Sequence, residues 1–190
     1  MRKIAIAAFA LVLLTGLASA QVPTSGNIFV GYSFYSASSS SFDLSNVGRP
    51  SLNGWNGSLE GKVLPWVGIV ADLSGHYGSQ SFMEFTPVGG GPVNATVSGH
   101  ETDVMFGPRL SFSVGKLRPF GEAMFGVGHI STGQAISTSD TSVITAVGGG
   151  LDYKIFRLLA LRAEGDYEQT RFFSTTQNNV RLSTGVVFRF

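Results

Sequence analysis

From Asn27 onward the chain alternates apolar and polar side chains with a period of two rather than 3.6. Such alternation puts successive residues on opposite faces of an extended strand. Eight segments carry it: 27–36, 52–63, 67–78, 99–113, 118–130, 142–153, 158–170 and 178–190. In the fourth, His100, Thr102, Val104, Phe106, Leu110 and Phe112 share one face, and Glu101, Asp103, Met105, Arg109, Ser111 and Ser113 the other. The seventh sets Leu161, Ala163, Gly165 and Tyr167 against Arg162, Glu164, Asp166 and Glu168. The last sets Val180, Leu182, Thr184, Val186, Phe188 and Phe190 against Asn179, Arg181, Ser183, Gly185 and Arg189. No capped run with an i, i+3, i+4, i+7 stripe follows residue 20. The pattern predicts an all-β fold.

The first twenty residues read as a cleavable secretory signal peptide. Arg2 and Lys3 precede a short apolar run, Ile4 to Leu14, and Ala18-Ser19-Ala20 forms a small-x-small cleavage site before Gln21. The run falls short of the ~20 residues a membrane helix needs, and no cysteine is present to carry a lipoprotein anchor. Two units are therefore expected, the leader at 1–20 and one domain at 21–190. Export without cysteine fits a periplasmic route.

Connection lengths alternate as well. Leu64-Pro65-Trp66, Val114 to Leu117 and Lys154 to Arg157 are short; Ala37 to Ser51, Ser79 to Ser98, Ser131 to Thr141 and Arg171 to Gln177 are longer and rich in Ser, Gly, Thr and Asn. Short turns at one end and long loops at the other are the plan of an eight-stranded antiparallel up-and-down transmembrane β-barrel, with the short turns and both termini on the periplasmic side.

Charge placement decides which face is inside. Charged residues make up only 13% of the chain, about half the globular share of roughly 25%. Removing Arg2 and Lys3 with the leader takes 13 basic residues to 11, against 12 acidic. That balance gives no sign of a nucleic-acid partner. Fourteen charges fall on the polar face of the strands: Glu60, Lys62, Asp72, Glu101, Asp103, Arg109, Glu122, Asp152, Arg162, Glu164, Asp166, Glu168, Arg181 and Arg189. Asp43, Arg49, Glu84, Lys116, Arg118, Asp140, Lys154, Arg157 and Arg171 fall in loops, turns or at strand ends. None lies mid-strand on the apolar face, where an Arg or Lys facing lipid would cost about 2–4 kcal/mol. Lipid outside and charge inside is the expected arrangement, and inward charges must then pair. Hairpin registers place Arg109 opposite Glu122 and bring Arg181 level with Asp166 and Glu168. His76 is available to the surplus acids. Aromatic belts are expected from Trp66, Tyr153, Phe156 and Phe190 at one rim and Phe34, Tyr77, Tyr167 and Phe172 at the other. Pro108 is the irregularity, a mid-strand proline that costs a ladder bond unless it sits at a bulge.

With these features in hand, the chain resembles the small eight-stranded outer-membrane barrels of the OmpA/OmpX kind, the outer-membrane protein β-barrel domain. Val30-Gly31-Tyr32-Ser33-Phe34, Leu117-Arg118-Pro119-Phe120-Gly121-Glu122-Ala123, Gly149-Gly150-Leu151-Asp152-Tyr153 and Leu159-Ala160-Leu161-Arg162-Ala163-Glu164 carry the resemblance. The ending Val186-Val187-Phe188-Arg189-Phe190 looks like the signal that the outer-membrane assembly machinery reads, with Phe188 and Phe190 as its aromatic residues. The resemblance covers 21–190. It implies location in the bacterial outer membrane, contact with its lipids and lipopolysaccharide, handling by periplasmic chaperones, and a monomer. No peptidoglycan-binding segment follows the barrel, so a cell-wall tether is not expected.

Chemistry is sparse. His76, His100 and His129 are isolated, so neither a metal site nor a cofactor is expected. Val88-Gly89-Gly90-Gly91-Pro92 lacks the Lys-Ser/Thr of a phosphate loop. Gly148-Gly149-Gly150 lies within a strand and suggests close backbone packing. His129 and Ser131 share a face near the long-loop end and resemble the His-x-Ser pair of barrel lipid A deacylases, but Thr132 replaces that family's Asn. The favoured expectation is a non-enzymatic wall protein that displays four loops. A narrow passive channel is the alternative, since Gly54, Ser58, Gly68, Ser74, Gly107, Gly126 and Gly185 would leave room for water. The lipid-modifying enzyme and a soluble ligand-binding barrel come behind. Cell fractionation with an unheated SDS gel separates the last from the rest. The protein is expected with the outer membrane and with a heat-dependent mobility shift; recovery from the soluble periplasm without a shift would refute the barrel.

Overall fold

The computed structural model describes residues 25–36, 51–84, 93–134, 138–172 and 176–190. The leader, with Ala18 and Ala20, lies outside the described residues, as does most of the first long loop. Eight strands follow one another: β1 (Gly26–Ser36), β2 (Ser51–Lys62), β3 (Val67–Glu84), β4 (Val93–Ser111), β5 (Leu117–Gln134), β6 (Thr138–Lys154), β7 (Leu159–Thr170) and β8 (Gln177–Arg189). Each pairs antiparallel with its sequence neighbour, and β1 pairs with β8 to close the barrel. No helix among the described residues is long and apolar enough to cross a membrane; the strands provide the crossing.

The short connections are tight for local reasons. Val114 and Leu117 exchange backbone hydrogen bonds of 2.8 and 3.1 Å across Gly115-Lys116. Gly115 has φ of 64°, the positive value that a two-residue hairpin demands and that glycine meets without strain. The turns after β2 and β6 close with bonds from Val63 and Leu64 to Val67, and from Ile155 and Phe156 to Leu159.

At the opposite end the strands differ from expectation. The segments expected as loops at 79–98 and 131–141 are largely strand: β3 runs on to Glu84, β4 begins at Val93, β5 reaches Gln134 and β6 starts at Thr138. Val93, Ala95 and Val97 alternate with Asn94, Thr96 and Ser98, but the rest of these stretches shows no apolar alternation. What extends them is cross-strand pairing, Gly78↔Gly99 through Glu84↔Val93 and His129↔Thr141 through Thr132↔Thr138. Among the described residues, the last pair of β3 with β2 is at Tyr77 and the last of β6 with β7 at Thr145. Strands β3 to β6 therefore rise past their neighbours as a four-stranded sheet. Seven residues of β3, Gly78 to Glu84, lie beyond the shared wall, a reach of roughly 23 Å at strand rise.

The outward face is apolar: Val104, Phe106, Phe125, Val127, Val143, Val147, Leu161 and Leu182 are all exposed on the barrel exterior. Trp66, Tyr153, Phe156 and Phe190 are exposed at the short-turn rim, and Phe34, Tyr77 and Tyr167 toward the other. Phe172 departs from this belt. It is 1% exposed, because it continues the inward parity of Glu168 and Thr170 and turns into the barrel mouth. Pro108 lies outward without a bulge: the β4–β5 register is unbroken from Phe106↔Phe125 to Arg109↔Glu122, and only the Gly107 and Pro108 pairs drop out. Beside it a Cβ on Gly107 would collide with the Ala123 backbone, so the two strands close up where the proline donates nothing.

Val147 lies mid-wall, between Ala123 and Tyr167 in register. Val147→Arg is expected to lower unfolding free energy in lipid vesicles by about 2–4 kcal/mol, the cost of a midplane cation. Urea titration checks this; a change within about 0.5 kcal/mol, typical of a water-exposed site, would put that face outside the bilayer.

Candidate functional site

All fourteen charges of the polar face point inward, and all but Lys62 and Arg189 are buried. They fall into three groups along the barrel axis. Nearest the short turns, Glu60 meets Lys62 at 2.9 Å and Arg118 at 3.0 Å, while Asp152 meets Arg162 at 2.7 Å and Arg189 at 3.5 Å. In the middle, Arg109 binds Glu122 at 2.6 Å and Glu164 at 3.3 Å. Arg181 gathers three carboxylates, Asp72 at 2.8 Å, Asp166 at 2.9 Å and Glu168 at 3.1 Å. Toward the long connections, Glu101 accepts a 3.3 Å hydrogen bond from Tyr35, and Asp103 one of 3.3 Å from Ser74. Three of these contacts follow directly from strand register, since Arg109↔Glu122, Asp152↔Arg162 and Asp166↔Arg181 are opposed pairs. Others, such as Arg181 with Asp72, cross the lumen and exist only because the sheet closes.

Arg118 is a correction to the sequence reading, which put it at a strand end. Because β5 begins at Leu117, Arg118 is that strand's first inward residue; it is 8% exposed and also hydrogen-bonds Ser111 at 2.8 Å. The described interior thus holds nine carboxylates and six basic side chains. Apolar groups share the space. Val70, Met105, Met124, Ile144 and Ala146 cluster on the inner wall of β3 to β6, and Phe29, Ala160 and Val187 near the short turns. Phe120 sits between two guanidinium groups, Arg109 at 4.4 Å and Arg162 at 4.5 Å from its ring centre, an attraction that strengthens without water. Lowered polarity around the ion pairs makes each more cohesive and each unpaired charge more costly.

The small inward residues do not leave a lumen. Where Gly68 lacks a side chain the Glu60 carboxyl lies, a Cβ on Gly148 would meet Asp166, and one on Gly150 would meet Phe120. On β2 and β4, Gly54 and Gly107 mark close backbone approach instead. Arg109, Arg162 and Arg181 are among the largest fully buried side chains. A water path beside them would expose them, and none is exposed by more than 1%.

Two arrangements have the geometry of chemistry. Glu122, Glu164 and Asp166 offer oxygens within 4.8 Å of one another, but Arg109 and Arg181 already face them, so the grouping is an ion-pair cluster. Ser33, His76 and Asp103 form a chain that no spacing in the sequence announces: Ser33 Oγ lies 2.9 Å from His76 Nε2, and Asp103 Oδ2 lies 3.8 Å from His76 Nδ1. Ser183 donates to Ser33 at 3.1 Å and Tyr35 stacks on the His76 ring at 4.7 Å. The order resembles a nucleophile, base and orienting acid, yet all three side chains are fully buried. His129 and Ser131, singled out in the sequence as resembling a deacylase pair but not favoured as one, have separate partners. His129 Nδ1 is 2.8 Å from Thr141 Oγ1, its cross-strand partner, while Ser131 stands opposite His100.

A closed eight-stranded barrel with a lipid-facing exterior and an ion-paired interior is the design of an outer-membrane protein. The chain belongs to the outer membrane protein beta-barrel domain family, whose model matches residues 6–190. Among solved structures it is similar in fold to Neisserial surface protein A, with TM-score 0.65, 14% identity, and coverage of 87% of this chain and 97% of that one. It is similar also to Ail, the attachment invasion locus protein of Yersinia pestis, in complex with the heparin analogue sucrose octasulfate, with TM-score 0.59, 17% identity, and coverage of 87% and 98%. No curated protein sequence matches the chain. The protein is an integral β-barrel of the bacterial outer membrane.

Arg181→Met removes the cation shared by three buried carboxylates. Unfolding free energy in vesicles is expected to fall by about 3–5 kcal/mol, and Asp166→Asn added to it is expected to restore part of the loss. Unchanged urea midpoints would show that the network does not hold the barrel together.

Proposed function

We propose that the protein is a non-enzymatic, non-conducting wall element of the outer membrane that presents a rigid platform for contact at the cell surface. The observation that carries this reading is the combination of a sealed interior with a raised sheet. Side chains from strands three apart meet inside the barrel, as Arg181 of β8 meets Asp72 of β3 and Arg109 of β4 meets Glu164 of β7. Among the described residues no water path beside the buried arginines supports transport, and no exposed nucleophile from the interior supports hydrolysis. Strands β3 to β6, by contrast, carry ordered backbone well past the shared wall, where a contact surface needs it. Loops rich in Ser, Gly and Thr top the same end and suit hydrogen bonding to an external surface. Outer-membrane lipid and lipopolysaccharide are the neighbours this reading assigns to the wall, the assembly machinery and periplasmic chaperones its folding partners, and a monomer its working state.

Planar bilayers test the sealed interior. Folded protein at high density is expected to give no single-channel steps; reproducible steps abolished by Gly185→Leu would establish a pore. Enzymatic readings are tested by a serine-reactive fluorophosphonate and by lipid A hydrolysis. The folded barrel is expected to stay unlabelled and to leave lipid A intact. Labelling lost in Ser33→Ala, or deacylation lost in Ser131→Ala, would overturn the non-enzymatic reading.

A further inference from the structure

On the outside of β4 to β6 the apolar wall stops along a line. Val104, Val127 and Val143 are opposed in register and all exposed. The next outward row toward the long connections is Thr102, His129 and Thr141, and the one after it His100, Ser131 and Ser139. All six share the parity of the three valines, so they belong to the face that meets lipid and not to the lumen. Tyr77, of the upper aromatic belt, is opposed to His100, and the two ring centres lie 4.6 Å apart. Glu101, Asp103 and Asp140, the acidic residues described on these segments, fall on the inward parity. The outward patch therefore carries hydroxyls and imidazoles with no carboxylate.

Strand tilt sets the two histidines level. The row that starts at Val67, the first residue of β3, passes through Leu110, Gly121 and Gly149 to Gly165 in the middle of β7. Rows thus climb toward the long connections from β3 to β7, and Ser131 stands higher than its partner His100. His129, two residues nearer the short turns on β5, comes level with His100 as its diagonal neighbour, about 7–8 Å away between backbones. One phosphate group spans such a gap. Each ring is held from one side: His100 Nε2 lies 2.9 Å from Thr102 Oγ1, and His129 Nδ1 2.8 Å from Thr141 Oγ1. A threonine hydroxyl that donates to the held nitrogen leaves the imidazole proton on the other, His100 Nδ1 or His129 Nε2, free to donate outward. We propose that His100 and His129, positioned by Thr102 and Thr141, bind a phosphate on the sugar headgroup of lipid A in the outer leaflet. Continuity with the valine row favours a lipid over a soluble anion, and hydrogen bonds to an ionised phosphate are the strong kind. The site rests on lipopolysaccharide being the outer neighbour of the wall, as proposed above.

The test is native mass spectrometry of the whole folded protein in neutral detergent, titrated with lipid A or with the same lipid A after enzymatic removal of its phosphates. The wild-type barrel is expected to retain the phosphorylated form about tenfold better, the gain of a net hydrogen bond to a charged group. His100→Ala/His129→Ala is expected to lose that preference and to keep its heat-dependent gel shift. Should the double variant fail to fold, His129→Ala alone is expected to weaken the preference, and Thr141→Val, which frees the ring but leaves it in place, to weaken it less. A preference that survives loss of both histidines would overturn the site while leaving lipopolysaccharide as a neighbour. No retention of either form by the wild type would overturn both. Displacement of lipid A by inorganic phosphate at equal concentration would overturn the lipid assignment in favour of a free anion. None of these outcomes depends on conductance.

Discussion

Hydrocarbon offers no hydrogen-bond partner, so each N–H and C=O that crosses it must be satisfied within the protein. The pairing of β1 with β8, from Asn27↔Arg189 to Ser36↔Val180, meets that demand by removing the two edges that an open sheet would leave. Other features follow from closure. It fixes which side chains face lipid and which face each other, and it brings Arg162 of β7 against Asn27 of β1 and Arg181 of β8 against Asp72 of β3. Pro108 is tolerated because the register continues past it, with the neighbouring Gly107 letting β4 and β5 approach.

Once closed, the barrel inverts the usual placement of polarity, and its interior is held by ions rather than by an oily core. Arginine suits this role because a planar guanidinium serves several carboxylates at once, as Arg181 does, and stacks on an aromatic face, as Arg109 and Arg162 do on Phe120. The inner glycines belong to the same scheme. They accommodate long side chains from neighbouring strands, so a composition that suggests an open lumen produces a filled one. The Ser33–His76–Asp103 chain shows the consequence for chemistry: the groups stand in the order of a triad but are fully buried inside the wall.

The two ends of the barrel are built differently. At the short-turn end Lys116, Lys154 and Arg157 are exposed, and the described carboxylates Glu60 and Asp152 are buried. At the other, four strands outrun the rest of the wall and carry the chain outward.

Much of this was legible in the residues. Period-two alternation, the absence of mid-strand charge on one face, and alternating connection lengths determine eight antiparallel strands and their orientation, because each is a local property of consecutive residues. Hairpin arithmetic likewise gives Arg109 with Glu122 and Arg181 with Asp166, since neighbouring strands share a turn. What the residues alone did not decide depends on distance in sequence or on shape. Cross-strand pairing extended β3, β5 and β6 through stretches where no apolar alternation marks a strand, and β4 through the short Val93-Ala95-Val97 alternation. Gly54, which lies between them in register and has no side chain, let Ser33 reach His76, and closure brought Arg181 to Asp72. Phe172 turned inward, and Arg118 joined the network by the placement of a single strand start. The sequence by itself determined which face of each strand meets lipid; only the tertiary structure decided which charges meet, because contacts across a lumen are set by closure and stagger, not by spacing along the chain.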